Sequence, residues 1–313
     1  MRLIKKTQGG ALLTALFIMT LVAIVATAMS TRLQLDIYRT RLIVAHDKLY
    51  LSSQAVMFWA LSELEDKNIL FTKANKDGMV DQYPKKMEKI INQVQLSGSL
   101  YDLQARLNLN NLVEKKFEPV FLNFIGLTIP KLNKKERLDL ALALEDWLYI
   151  YDIARGEDEY TYYYLSQKPP YYPSHQLMHS TSEFRLVKFV TSQMYQTLEP
   201  FITVLPEKTP ININTAPSQL IMSLGNGLGR EQAKELISAR GEHGIKDLKD
   251  IAELTKKLAL PSEQITIESQ YFLNVAYASS DEFKIAVYTL LKRSRDKNGK
   301  ISVRVIRETI NGF

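Results

Sequence analysis

The chain has 313 residues, of which 46% are hydrophobic, 24% charged and 10% aromatic, with no cysteine and a formal charge of +6. That composition excludes wholesale disorder and collagen-like structure, and the missing cysteine excludes disulfides, iron–sulfur clusters, thiolate zinc sites and cysteine nucleophiles. Arg2, Lys5 and Lys6 carry half of the positive excess, so the remainder is too nearly neutral to argue for nucleic acid on charge.

Between Lys6 and Arg32 no side chain ionises, and Gly10 to Met29 is an apolar run. A run of about 20 residues matches a helix crossing a hydrocarbon core of roughly 30 Å. The basic residues ahead of it favour a cytoplasmic N-terminus and an exported C-terminus. Ala26-Thr27-Ala28 offers a site for a conventional signal peptidase, but the run exceeds the roughly 7–15 residues of an ordinary signal. No Gly or Pro occurs from Ala11 to Asp77, which predicts one helix from Ala11 to about Asp66. Leu35, Leu42, Leu49 and Val56 recur every seven residues, followed three residues later by Tyr38, Ala45, Ser52 and Trp59. This stripe marks an amphipathic face that packs on its own domain or meets a partner.

A short basic leader, the Gly9-Gly10 pair and then ALLTALFIMTLVAIVATAM resemble the leader of type IV pilins and type II secretion pseudopilins. The resemblance implies cleavage by a prepilin peptidase after Gly9, or after Gly10, with residues 1–9 as leader and 10–31 as the retained transmembrane helix. On that register the fifth mature residue is Thr14, where most of the superfamily carry Glu. A carboxylate in hydrocarbon is kept only where it has a partner. Its absence implies a subunit with no neighbour stacked above it.

Further along, Asn75 to Pro84 reads as a polar loop, and Pro84 to Val94 as a short helix with Met87, Ile90, Ile91 and Val94 on one face. Gly98 to Leu109 alternates like a strand. From about Asn110 to Ser262 helix signals dominate. Asn133 and Glu136 form a capping pattern before the helix over 138–148, and 184–198 is another helix. Several short helices follow over 210–260, one with Pro217 in its first turn and Asn214 or Thr215 as cap. Strands return after Gln264: one near Phe272 to Tyr277, one over 283–291 and one over 301–310, the last two joined by a turn at 295–299. Strands interrupted by a helical block predict an α+β domain with an all-α insertion.

YDLQARLNLNNL, EDWLYIYDIARGEDEY, TSEFRLVK and PININTAPSQLIMSL, in that order, resemble the motifs of the type II secretion minor pseudopilin K family. That resemblance implies a pilin-like fold, a long N-terminal helix on an antiparallel sheet. It places the first part at 32–110, an inserted helix-hairpin-helix or SAM-like domain at 111–262, and the remaining strands at 263–313. It further implies a non-enzymatic tip subunit, single-pass in the inner membrane with its body in the periplasm. Minor pseudopilins I and J, prepilin peptidase and the inner-membrane assembly platform would be its partners. Asp146, Asp152, Glu157 and Asp158 lie in a stretch where this family holds Ca²⁺, but further aspartates of that pattern read here as Tyr149 and Tyr151. An ordinary solvated acidic loop is the competing reading.

No phosphate-binding loop, nucleophile elbow or H-E-x-x-H motif occurs, and no catalytic constellation is expected. His175 and His179 follow a proline-rich stretch and read as loop histidines. Half of the 16 tyrosines fall between Tyr149 and Tyr172, as an interface or as the insertion's own core. Gly227-Leu228-Gly229, with Arg230 and Lys234 nearby, resembles the hairpin of helix-hairpin-helix DNA-binding modules. A membrane-anchored DNA receptor is therefore the alternative function, and the low charge opposes it.

Overall fold

The computed structural model describes residues 8–84, 89–91, 94–150, 160–280 and 283–312. With neither Gly nor Pro to interrupt it beyond Gly10, the first element α1 runs from Gln8 to Glu65. Its 58 residues make a rod of about 87 Å at 1.5 Å per residue. No glycine closes it. Its C-terminal end is met instead by Arg293 from a distant strand, whose guanidinium donates to the carbonyls of Leu64 at 2.8 Å and of Asp66 and Ile69 at 3.1 Å. A cation there also opposes the negative end of the helix dipole.

The last four turns or so of α1, from Leu49 to Leu64, lie on an antiparallel sheet. Its strands are β1 (Met79–Tyr83), β2 (Lys89–Ile91), β3 (Val94–Asp102), β8 (Tyr271–Ser279), β9 (Lys284–Arg295) and β10 (Ile301–Ile310), in spatial order β1-β3-β8-β9-β10, with β2 also on β3. Leu49 and Val56 are buried against Val94, Leu96, Ala276 and Val287, while Ala60 and Leu64 meet Leu100, Phe272 and Leu291. The alternation over 301–310 yields β10, and Asp296 to Lys300 closes the β9–β10 turn with Gly299 at φ +79°.

Between β3 and β8 the chain leaves the sheet for residues 103–270, a longer excursion than the expected 111–262. Its helices are α2 (Glu118–Thr128), α3 (Lys134–Leu148), α4 (Thr161–Leu165), α5 (Ser192–Leu198), α6 (Ser218–Ser223), α7 (Arg230–Ser238) and α8 (Ala252–Lys257). Two short parallel pairs sew the excursion together: β4 (Leu107–Asn108) with β5 (Ile202–Thr203), and β6 (Ile211–Asn212) with β7 (Ile265–Thr266). One continuous core runs from Leu107 to Ile265.

Several local expectations are corrected: Met79–Tyr83, within the expected 75–84 loop, is β1, and the expected strand over 98–109 ends at Asp102. Lys89–Ile91 is a strand rather than part of a helix, because pairing with β3 supplies its backbone partners. The helix over 184–198 splits into a 3-10 turn at Thr181–Leu186 and α5, with Phe189 between them at φ +74°. Pro217 itself is the N-cap residue of α6, so neither Asn214 nor Thr215 caps it. The expected cap at Asn133 forms as a full capping box with Glu136.

Candidate functional site

The surface that α1 presents has two halves. From Gly10 to Val44 every residue is exposed, and this helix is long and apolar enough to cross a membrane. Thr14 Oγ1 donates back to Gly10 O at 3.1 Å and to Ala11 O at 3.0 Å. A hydroxyl in hydrocarbon is tolerated when satisfied within its own helix. Position 14 thus offers a neighbour no charge. Of the expected leader, residues 1–9, residues 1–7 lie outside the described residues, and Gly9 and Gly10 lie in the first turns of α1.

The heptad stripe divides between these halves. Leu35 and Leu42 are 51% and 43% exposed, whereas Leu49 and Val56 are 1% and 0% exposed beneath the sheet. Leu49 and Val56 therefore belong to the chain's own core and are corrected as partner-facing candidates. Sequence reasoning missed a second stripe: Ile37, Val44, Leu51 and Phe58 also recur every seven residues and are 46–69% exposed. Two positions along an α-helix correspond to about 200° of rotation, so this stripe points away from the sheet. Spacing signalled both stripes, and only the sheet's position distinguishes inward from outward. Polar residues interleave the outward stripe, with Thr40, Asp47 and Gln54 three residues after its first three members.

The motif asparagines act as staples within the fold. Asn110 Nδ2 donates to Met178 O at 3.0 Å and Leu205 O at 2.8 Å, while its Oδ1 accepts from Met178 N at 2.9 Å. Asn108 and Asn111 hold the 205–209 loop, and Asn214 ties Ile245 to Ile267. Asp102, at the end of β3, is fully buried. It accepts from Gln104 N, Asn212 Nδ2, Thr215 Oγ1 and Ser269 Oγ at 2.5–3.0 Å. Burial pushes its carboxyl upward and the four donors oppose that shift. LNLNN and NINT thus stitch the insertion together and bind it to the sheet without forming an open site.

The 225–229 hairpin offers little to a phosphate. The amides of Gly225 and Gly229 donate to the side chains of Gln264 and Gln232, at 2.9 and 2.7 Å. Those of Gly227 and Leu228 donate to Leu224 O and Met222 O. Gly227 sits at φ +96°, against Asn123 of α2. Arg230 and Lys234 are exposed at the start of α7, but the amides that would accompany them on an anion are already used.

Asp146 is half-buried in the last turn of α3, while Asp152, Glu157 and Asp158 lie outside the described residues. Among the described residues no group of three or more His, Asp or Glu could hold a metal ion. His175 and His179 occupy a loop, His175 at φ +47°. The tyrosines divide: Tyr164 is buried among Trp147, Tyr163 and Tyr171, whereas Tyr162 and Tyr172 are exposed.

A membrane-competent helix continuing onto an antiparallel sheet, with a helical insertion between strands, defines a pilin-like anchored subunit. Two family models match, both described as type II secretion system protein K, over residues 105–207 and 211–271. The type II secretion system protein K of Aeromonas hydrophila is 27% identical over 325 aligned positions, covering 93% of this chain and 95% of that protein. Its counterpart in Pseudomonas aeruginosa is 30% identical over 209 positions, covering 64% and 61%. The solved GspK-GspI-GspJ complex of enterotoxigenic Escherichia coli contains a chain with TM-score 0.67 and 20% identity, matched over 88% of this chain and all of that one. The chain belongs to the type II secretion system protein K family.

Proposed function

We propose that this subunit is non-enzymatic and sits at the tip of a type II secretion pseudopilus. In this reading residues 10–31 anchor it in the bacterial inner membrane and its body lies in the periplasm. It assembles there with minor pseudopilins I and J to initiate or cap the pseudopilus. Prepilin peptidase removes residues 1–9, and the inner-membrane assembly platform receives the mature chain. The observation that carries this reading is α1 itself. One face is consumed by the chain's own sheet, and the opposite face, Ile37/Val44/Leu51/Phe58, runs exposed toward the membrane half. That outward stripe suits lateral packing against another subunit's helix. The 103–270 excursion would overhang a helical stack, and Thr14 lacks the carboxylate that would receive a subunit above. The complex solved for the Escherichia coli relative supports I and J as the partners.

Sedimentation tests the proposal. Alone, the detergent-solubilised chain stays monomeric, and with I and J it forms a discrete complex holding one copy of each. Open-ended self-assembly, or no complex at micromolar concentrations, overturns the tip assignment. Calcium in the acidic stretch of Asp146, Asp152, Glu157 and Asp158 stays a separate proposal, supported by the carboxylates in sequence.

A further inference from the structure

The sheet face turned away from α1 does not lie flush against the insertion. A cleft of about 390 Å³ opens between them. Tyr101, Tyr277 and Tyr288, from β3, β8 and β9, form one wall, and Thr181 and Thr203 belong to the other. Arg106, just before β4, lines this cleft and an adjoining one of about 260 Å³ beside the 74–78 loop.

The guanidinium of Arg106 is largely buried, and burial pulls its pKa below the ordinary value. Its single hydrogen bond among the described residues runs from Nη2 to Asp77 O at 3.4 Å. Its Nε is buried with no partner, and no carboxylate among the described residues comes within ion-pair distance. Thr203 Oγ1, in the same wall, is likewise buried without a partner. Two other withdrawn guanidinia, those of Arg293 and Arg240, are held firmly. Arg293 donates to three carbonyls and to Glu268, and Arg240 to Ile213 O and Ala216 O. A buried charge is costly unless paired, so Arg106 is short of an anion. The acidic groups facing it are Asp102, already occupied by four donors, and Asp77 and Glu199, both solvent-exposed.

We propose that this cleft receives a carboxylate from a partner polypeptide, either an Asp or Glu side chain or a chain terminus, on the Arg106 fork. The planar guanidinium matches a carboxylate with two parallel N–H donors, and phenolic hydroxyls in the wall can add a third. Asp77 and Glu199 at the rim disfavour multiply charged anions such as phosphate, leaving a single carboxylate on an otherwise neutral segment as the fitting ligand. Because the cleft lies between sheet and insertion, its occupant would contact both. The cleft alone carries this inference, which is independent of the tip assignment.

The test uses the full chain in detergent with ¹³C-labelled tyrosine rings. Four probes are titrated: a capped, amidated peptide with one Asp; the same peptide with Asn and a free C-terminal carboxylate; the same, amidated, with Lys; and inorganic phosphate. Saturable shifts of the Tyr277 and Tyr288 rings with one or both carboxylate peptides support the site, and the responding peptide identifies the source. Arg106→Met weakens that binding by about tenfold or more, as expected for a lost charge-assisted hydrogen bond, and Arg106→Lys keeps part of it. Should Arg106→Met fail to fold, Arg106→Lys and Tyr277→Phe carry the test, each weakening the carboxylate peptide selectively. Unchanged binding in these variants, preference for the Lys peptide or phosphate, or no saturable shift overturns the proposal.

Discussion

At Gly98 the sheet leaves no room for a side chain beneath α1, which makes the helix seating testable. A Cβ at position 98 would lie 2.1 Å from Val56 Cγ1 and 3.3 Å from Val275 O. The first distance falls about 1.5 Å short of a normal carbon contact of roughly 3.5–4.0 Å. Val275 O is backbone and Val56 is fully buried, so neither yields freely. Overpacking of this kind costs about 1–3 kcal/mol, against about 0.4–1 kcal/mol gained by stiffening the unfolded chain, so strain wins. Gly98→Ala should therefore destabilise by about 1–2 kcal/mol, lowering the melting temperature by roughly 2–4 °C per kcal/mol. Val56→Ala alone also destabilises by leaving a cavity. Combined, the two substitutions should cost less than their sum by about 1 kcal/mol or more, since the added methyl occupies the vacated space. Urea unfolding in detergent can follow this through Trp59, which packs beside Val56's cluster, with Trp147 in the insertion replaced by Phe. A neutral Gly98→Ala, or additive costs in the double variant, would refute this seating of the helix.

The stripe makes a paired prediction: Leu49→Glu should unfold the helix–sheet core, a loss of several kcal/mol (roughly 3–5) for an unpaired buried charge. Leu42→Glu or Leu51→Glu should leave the melting curve within about 0.5 kcal/mol of the parent yet weaken complex formation with I and J in sedimentation. Asn110→Ala should cost about 2–5 kcal/mol in urea unfolding, because it strands two carbonyls and one amide inside the insertion, and a loss below about 1 kcal/mol would contradict the staple role. N-terminal sequencing of the membrane-bound chain should begin at Gly10 or Ala11, and a start at Met29 would point to ordinary signal peptidase. If the acidic stretch binds calcium, Ca²⁺ at 100 times its Kd should stabilise by about 2.7 kcal/mol over chelator, and an unchanged melt would leave it a solvated loop.

Much of this architecture was legible because its signals are local. The missing Gly and Pro predicted α1 almost to the residue, Asn133 with Glu136 predicted the start of α3, and strict alternation predicted β10. What was hidden depends on distant partners. Ile90 and Ile91 suit a helix face and a strand equally, and β3 decides. The end of α1 is set by Arg293, 228 positions beyond Glu65 in the chain. The 184–198 stretch has helical spacing, but Thr191 accepts from Met194 N and starts α5 afresh. For the candidate site, Gly9, Gly10 and Thr14 were named by aligning the start of the apolar run with the leader it resembles. The inward half of the stripe and the unpaired Arg106 could not be named from the sequence, since burial belongs to the assembled fold.

The two stripes also explain how one helix can fold and still be available. Placing the inward set, Leu49, Val56, Ala60 and Leu64, against the sheet leaves the outward set a little over half a turn away. Contact with the sheet stops near Leu49, so toward the membrane both stripes are bare, and before Arg32 the helix is apolar on all sides. A helix apolar all round is stable in lipid or among other apolar helices and not in water. Between Arg32 and Lys48 the apolar residues alternate with Arg39, Arg41 and Asp47, a compromise suited to a segment that water reaches in the free subunit and a neighbour covers in the assembly. The outward stripe alone continues past Leu49 to Phe58, alongside the folded body. A neighbour's helix lying along it would therefore register against the body as well as against the membrane segment. Substitutions at Ile37 should then act on assembly alone, and those at Phe58 on assembly and on the orientation of the body together.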